Sequence, residues 1–311
     1  MVEQVTIASI PAFKIGHAQN EKARTGCTVI LCEDGAVAGC DLRGSAPGTR
    51  ETELLRPGFL VEQVQGVLLT GGSAFGLDAA GGVQQYLAER GKGYDARGIR
   101  VPIVPAAVIF DLNVGNGQTR PDKQMGYQAC LNANPEQVDC GLIGVGSGAT
   151  VGKILGMERA MNGGVGYAAE TLASGVVVSA LVVVNAFGDV LNPNNGKIIA
   201  GARELDSERF VNTAQLLRQL PVQTSPITDN TTLGVIMTNA HLNKVQINKV
   251  AQMAQDGLAR VVRPVHTMYD GDLIFALSGG EQNADQNLIG EMAAECVAQA
   301  IIRAVKISNS L

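Results

Sequence analysis

A polar segment meets an apolar one at Thr231, and this junction is where the sequence holds its clearest chemistry. Residues 221–230 read PVQTSPITDN, a composition typical of an exposed loop. The residues that follow, Thr232–Thr238, are largely β-branched and aliphatic and predict a strand. At such a junction the Thr231 hydroxyl can attack the preceding carbonyl, and hydrolysis of the resulting ester would leave Thr231 with a free α-amine.

That α-amine would give the threonine its own base. A threonine hydroxyl is a weak nucleophile at neutral pH and needs a neighbouring base. An α-amine has a pKa of roughly 7.7–8.0, much closer to neutrality than a lysine amine. The chain has only three histidines and no serine in a G-x-S-x-G turn, so it offers little material for a Ser-His-Asp triad. Ordinary turn chemistry at the start of a strand also explains Thr231, so other residues must decide between the two interpretations.

Two aspartates supply a second chemical feature. Asp270 and Asp272 are two residues apart in a strand-like segment, and strand alternation predicts that they share one face. Like charges on one face repel unless a cation lies between them or one carboxyl is protonated. A protonated α-amine at Thr231 would be such a cation. The alternative is an exposed Asp-Gly-Asp turn.

Two glycine-rich segments invite comparison with phosphate-binding loops. Gly144–Lys153 fails the spacing, because Ser147 stands where the first glycine of such a loop belongs and Ile154 follows the lysine. Thr70–Gly76 links a predicted strand to a predicted helix. We expect it to form either a tight turn or the wall of a substrate pocket.

Composition excludes several classes of function. The net charge of −5 and pI of about 5.3 give no electrostatic attraction to nucleic acid or to anionic membranes. The six cysteines form no C-x-x-C pair, so we expect reduced thiols, no metal site and no cofactor. The start of the chain lacks a secretory pattern, and no long apolar stretch resembles a membrane span. We therefore expect a soluble, cytoplasmic protein with no nucleic-acid or membrane partner.

Strands and helices alternate along the whole chain and predict a mixed α/β fold of two or more layers. The predicted strands are Thr28–Cys32, Ala36–Asp41, Val67–Thr70, Val101–Ile109, Val176–Phe187, Thr232–Thr238 and Gly271–Ser278. The predicted helices are Phe75–Arg90, Leu205–Leu220 (opened by Asp206–Ser207), Lys244–Val262 and Asn287–Val305.

The sequence resembles the DmpA-like peptidases, a family that includes L-aminopeptidase/D-esterases, β-peptidyl aminopeptidases and the nylon-oligomer (6-aminohexanoate oligomer) hydrolases. The resemblance is carried over most of the chain, in the expected order, by the blocks Thr70–Asp78, Pro105–Asp111, Ala149–Lys153, Val183–Ala186, Asn230–Thr232, Thr238–Asn239, His266–Thr267 and Asp270–Asp272. It implies two β-sheets sandwiched between helix layers, an αββα-like fold of the N-terminal-nucleophile type. It also implies self-cleavage at Asn230–Thr231 into an α-fragment, 1–230, and a β-fragment, 231–311, intertwined in one structural domain within a homotetramer.

The resemblance also implies a role for each site residue. Thr231 matches the nucleophile, and Asp270 and Asp272 match the two acidic partners of the nylon-hydrolase branch. Lys153 and Asn185 match the polar residues beside the nucleophile. The Asn185 amide is a candidate donor to the tetrahedral oxyanion.

Two departures from the family patterns bear on substrate. The nylon-hydrolase pattern has a tyrosine where this chain has Phe110, so a hydroxyl is missing near the site. The β-aminopeptidase pattern has a serine nucleophile with Ser-x-Glu partners, so the Asp-x-Asp pair favours the nylon-hydrolase branch. Gly72, Ser73 and Phe110 are the expected substrate-pocket residues.

We therefore expect an amide hydrolase that works through a threonine acyl-ester, with no metal or organic cofactor. Its substrate would be a small amide or peptide, such as an N-terminal peptide amide, a β-peptide or a linear amide oligomer. Two alternatives remain open. One is a threonine-nucleophile acyltransferase of the ornithine acetyltransferase type, in which an amine replaces water. The other is a non-catalytic binding or assembly protein, which would remain an uncut chain.

Overall fold

A computed structural model of the chain describes residues 7–205, 207, 209–219 and 230–311. Within this part the strands are β1 (Lys14–Asn20), β2 (Thr25–Leu42), β3 (Thr49–Arg50), β4 (Gln63–Thr70), β5 (Tyr94–Ala96), β6 (Ile99–Val101), β7 (Ala106–Val108), β8 (Thr150–Val151), β9 (Met161–Asn162), β10 (Gly164–Thr171), β11 (Val177–Asn185), β12 (Asp189–Leu191), β13 (Ile198–Ala200), β14 (Thr231–Ala240), β15 (Val262–Arg263) and β16 (Leu273–Gln282). The α-helices are α1 (Ala79–Ala88), α2 (Lys123–Leu131), α3 (Thr213–Leu217), α4 (Lys244–Val261) and α5 (Gln286–Asn309).

The long strand β2 joins the two halves of a nine-stranded sheet. The strand order is β10-β11-β14-β16-β2-β4-β7-β3, with β1 also paired to β2. The first part of β2 pairs with β4 and its last part pairs with β16, with a register shift between Leu31 and Ala36. The two sheets expected from sequence are therefore continuous through β2, which was predicted as two separate strands.

Successive side chains along each strand point to opposite faces of the sheet, so they belong to separate hydrophobic cores. Leu233 and Val235 of β14 share a central cluster with Val67 and Leu69 of β4, so the two halves of the sheet face each other. The opposite faces pack under helices, one half against α4 and α5 and the other against α1 and α2. Each fully buried Leu or Val side chain contributes about 1.5–3 kcal/mol. The predicted mixed α/β fold with outer helix layers is confirmed.

Strands from the last third of the chain occupy the middle of the sheet. β14 and β16 pair in parallel with each other. β14 also pairs with β11 and β16 with β2, both of which come from the part of the chain before residue 230. This arrangement fixes the position of Thr231, the first residue of β14, and of the residues that lead into β16.

Several predicted strands and helices begin or end at other residues in the structure. The segment Val101–Ile109 contains only the last residue of β6 and the three residues of β7, because Pro102 and Pro105 interrupt strand pairing. The helix predicted from Phe75 begins as a 3₁₀ turn, Ser73–Asp78, before α1. In the predicted helix Leu205–Leu220, only α3 is helical within the described residues.

The predicted helix opening at residue 206 and the predicted loop 221–229 lie outside the described residues.

The two C-terminal helices match their predictions closely. Asn243 caps α4 in a capping box, and Asp285 caps α5. No helix in the described part of the chain is long and apolar enough to cross a membrane.

Candidate active site

Thr231 lies at the start of β14, directly across from Asn185 at the end of β11. It is 4% exposed and borders a cavity of about 310 Å³. The other residues lining this cavity are Ala46, Pro47, Gly48, Ser73, Ala74, Val108 and Phe110. Of the expected pocket residues, Ser73 and Phe110 line the cavity and Gly72 does not.

The peptide bond before Thr231 is held by hydrogen bonds on both sides. The Asn230 N–H donates to the Tyr269 carbonyl at 2.8 Å, and the Asn230 carbonyl accepts from the Gly271 N–H at 2.8 Å. The Thr231 hydroxyl donates to the same Asn230 carbonyl oxygen at 2.5 Å. The hydroxyl therefore lies beside the carbonyl that self-cleavage would attack, and an N–H group already points at the oxygen that would become negatively charged.

Asp270 is buried behind this junction. Its carboxylate accepts hydrogen bonds from the Phe187 N–H at 3.3 Å, the Thr267 N–H at 2.9 Å and the Thr267 hydroxyl at 2.6 Å. Burial raises the pKa of Asp270 to about 6, and the nearby charge of Asp272 acts in the same direction, against the hydrogen bonds from Thr267 and Phe187. The pH at which this carboxyl loses its proton is therefore higher than for an ordinary aspartate.

Asp272 connects the strand that begins at Thr231 to His266. One carboxylate oxygen accepts from the Thr232 N–H at 2.7 Å. The other lies 2.8 Å from His266 Nδ1 and 3.2 Å from the His266 backbone nitrogen. The sequence favoured a packing or hydrogen-bonding role for His266 over a role as a base, and in the structure His266 is hydrogen-bonded to Asp272.

Asp270 and Asp272 lie in the extended segment that leads into β16, which begins at Leu273. Asp270 pairs with Asn230 in a parallel bridge, in the register that β14 and β16 continue. Their carboxylates bind different groups, although both belong to the immediate surroundings of the Asn230–Thr231 bond.

Lys153 and Asn185 form a buried polar pair beside Thr231. Lys153 Nζ donates to Asn185 Oδ1 at 2.8 Å and to the Asn185 carbonyl at 3.1 Å. Asn185 Oδ1 also accepts from the Thr150 N–H, and Nδ2 donates to the Phe110 carbonyl at 3.2 Å. These contacts fix the amide orientation. The second hydrogen on Nδ2 is the one an oxyanion would use.

Asp111 holds the glycine-rich turn and was missed as a site residue. It accepts from the Gly72 N–H and the Thr25 hydroxyl, both at 2.7 Å. Burial raises the pKa of Asp111, and these two hydrogen bonds oppose that effect. A Cβ on Gly71 would collide with the Asp111 carboxylate. Gly72, in the left-handed region at φ +80°, thus shapes the turn that brings Ser73 to the cavity. The sequence feature that could have identified Asp111 is its position directly after a buried apolar strand.

No group of three or more His, Cys, Asp or Glu side chains in the described residues is arranged to hold a metal ion. All six cysteines are free thiols, and four of them are buried. Burial raises the pKa of the Cys130 thiol to about 12, as expected for an unreactive core residue.

Comparison with known proteins assigns the chain to a family. The sequence profile of Peptidase family S58 matches residues 6–311. An uncharacterised aminopeptidase of Mycobacterium tuberculosis is 40% identical, over 96% of this chain and 93% of its own length. A 6-aminohexanoate-oligomer endohydrolase of Agromyces sp. is 30% identical, over 95% of this chain and 84% of its own.

A solved structure extends the likeness to the fold. The L-aminopeptidase D-Ala-esterase/amidase of Ochrobactrum anthropi, described as a variant of the Ntn hydrolase fold, superposes with a TM-score of 0.70. The match covers 96% of this chain and 85% of that one at 17% identity, so it concerns the fold alone.

Proposed function

This chain belongs to peptidase family S58 and is a peptide or amide hydrolase, and from that premise we propose that its nucleophile is Thr231, freed by self-cleavage of the Asn230–Thr231 bond. The observation that carries the proposal is the position of the Thr231 hydroxyl. It borders the cavity and contacts the Asn230 carbonyl oxygen, and the Gly271 N–H donates to that same oxygen.

Self-cleavage would proceed by an N-to-O acyl shift. Thr231 Oγ1 bonds to the Asn230 carbonyl carbon, and the Gly271 N–H stabilises the negative charge that develops on the oxygen. The C–N bond then breaks, and the nitrogen takes up the hydroxyl proton and becomes the α-amine of Thr231. Water hydrolyses the ester, which gives a carboxylate on Asn230 and restores the hydroxyl.

Turnover would repeat this chemistry on a substrate. The α-amine takes the hydroxyl proton as Thr231 attacks the substrate amide, and then delivers it to the leaving amine. Water cleaves the acyl-ester with the same amine as base. Asn185 and Lys153 adjoin the developing oxyanion, while Asp272 fixes the start of β14 through the Thr232 N–H.

The proposed partners are a small amide or peptide substrate and further copies of the chain in a homotetramer, in the cytoplasm. The two fragments, 1–230 and 231–311, would remain together in one structural domain. β14 and β16 lie between strands of the first fragment, which supports this arrangement.

A gel and N-terminal sequencing test the nucleophile. The wild-type chain should yield fragments of roughly 24 and 8 kDa, the smaller beginning at Thr231. Thr231→Ala should stay at 32.4 kDa and be inactive, whereas Thr231→Ser should still cut itself. Active protein that begins only at Met1, or a cut elsewhere, would contradict the assignment. Transfer of the acyl group to an added amine in place of water would point to an acyltransferase instead.

A further inference from the structure

None of the described residues that line the cavity beside Thr231 has a charged side chain, and we propose that the enzyme selects acyl groups that carry no charge next to the scissile amide. Its preferred substrates are a capped residue or a plain aliphatic acyl chain rather than a residue with a free α-amine. Because Thr231 is the group that receives the acyl chain, this selectivity rests on the proposed function.

The residues that line the cavity present apolar surface and hydroxyl groups to an acyl chain. Of the eight described lining residues only Ser73 and Thr231 have polar side chains, and each of these ends in a neutral hydroxyl group. Val108 and Phe110 supply apolar surface. The volume of about 310 Å³ equals roughly ten water molecules at ~30 Å³ each, which suits a short acyl group.

The buried carboxylates near the cavity are engaged by the protein itself. Asp111 accepts hydrogen bonds from Thr25 and Gly72. Asp270 accepts them from Phe187 and Thr267. Asp272 accepts them from the backbone of Thr232 and of His266. Among the described residues, none of these carboxylates lines the cavity. A substrate ammonium would meet hydroxyl groups and apolar surface there.

An ammonium group that leaves water without a carboxylate partner is strongly disfavoured. A substrate with a free α-amine would have to lose its proton before it bound well. Since such amines have pKa values of roughly 7.7–8.0, the penalty should be large in mildly acidic solution and should fade in alkaline solution. A capped residue or an aliphatic acyl group avoids it at every pH.

The named relatives span both kinds of substrate. An aminopeptidase acts beside a free amine, whereas an oligomer endohydrolase cuts within a chain, where the acyl side continues as a neutral amide. The cavity fits the second kind of acyl group, although the aminopeptidase is the more similar in sequence.

Three p-nitroanilides test the selectivity on the purified enzyme: butyryl, N-acetyl-L-alanyl and L-alanyl. At about pH 6 we expect kcat/KM to be at least tenfold higher for the two neutral substrates than for L-alanyl, because its amine is then charged. The gap should narrow as the pH rises above about 8. A higher kcat/KM for L-alanyl p-nitroanilide at about pH 6 would overturn the proposal.

A charge placed in the cavity gives an independent test. Ala74 lines the cavity and is exposed, so Ala74→Asp adds a carboxylate there and Ala74→Asn adds the same shape without charge. Relative to Ala74→Asn, Ala74→Asp should raise the L-alanyl to butyryl ratio of kcat/KM about tenfold at about pH 6. Equal ratios in the two variants would contradict the proposal.

Failure of this selectivity and failure of the proposed function give different results. With p-nitrophenyl butyrate, a chain that acts through Thr231 accumulates a butyryl ester on the fragment that begins there, which mass spectrometry detects. A cut and acylated chain that prefers L-alanyl overturns only the selectivity. A chain that is neither cut nor acylated overturns the proposed function.

Discussion

Replacing Gly271 by alanine would press a methyl group against the proposed nucleophile. A Cβ on Gly271 would lie 2.8 Å from Thr231 Oγ1 and 2.6 Å from the Ala46 carbonyl oxygen. Its φ lies outside the left-handed region, so the backbone itself tolerates alanine. The clash, rather than backbone strain, is therefore the perturbation.

The size of the effect follows from the displacement required. Ordinary contact begins near 3.4 Å, so the new methyl group needs about 0.6 Å more room from Thr231 Oγ1 and about 0.8 Å more from the Ala46 carbonyl oxygen. A misplacement of about 1 Å in a reacting group costs on the order of 100-fold in rate, so self-cleavage and turnover should each slow by about tenfold or more. Overpacking should also cost about 1–3 kcal/mol of stability.

The assay follows the loss of the 32.4 kDa band with time, and then kcat/KM of the cut protein. Gly234→Ala is the matched control, since Gly234 lies on the same strand as Thr231 but its Cβ would meet the Ile274 side chain at 3.3 Å. That variant should cut itself at the wild-type rate. A folded Gly271→Ala protein that also cuts itself at the wild-type rate would refute this description of the attack.

Two further predictions concern the charged and polar surroundings of Thr231. The raised pKa of Asp270 means that the folded chain holds this proton more tightly than the unfolded chain, where aspartate titrates near about 3.9. The contribution of this carboxyl to stability is therefore full below about pH 4 and falls by up to ~3 kcal/mol as the pH rises to about 6. Urea unfolding measures this in the uncut Thr231→Ala background. The free energy of unfolding of the Asp270→Asn variant should rise relative to that of its parent over that pH interval. A difference between the two that does not change with pH would contradict the prediction. Asn185→Asp replaces the Nδ2 donor with an oxygen and adds a negative charge opposite Thr231, so kcat/KM should fall by about 100-fold or more. Wild-type turnover in a folded Asn185→Asp protein would remove that amide from the site.

Apolar periodicity was enough to predict the central strands and the last two helices. β14 and β16 alternate between two cores, and α4 and α5 bury one face each, so local patterns and global packing agree. The continuity of β2 was not predictable in this way. Glu33–Gly35 has the composition of a turn, yet here it lies within the strand, beside the register shift that carries the chain from one layer to the other.

The sequence was enough to propose Thr231, Asp270, Asp272, Lys153 and Asn185 as candidate site residues, but it did not predict their contacts. Thr231 and Asp272 come together because β14 and β16 are parallel neighbours, and pairing between distant strands leaves no local trace. The partnership of His266 with Asp272 depends on a turn in which His266 adopts φ +55°. Such a backbone is uncommon for histidine, so no propensity argument finds it.

Because β14 and β16 lie inside the sheet, cutting the chain before Thr231 would change how the protein recovers from denaturation. The uncut precursor folds as a single molecule, at a rate independent of concentration. The mature protein would renature only when two separate polypeptides meet and rebuild one sheet, so its yield would fall on dilution. The lifetime of the folded mature protein would then be set by its rate of unfolding rather than by a reversible folding equilibrium. The uncut precursor would be the form that folds efficiently from the unfolded chain.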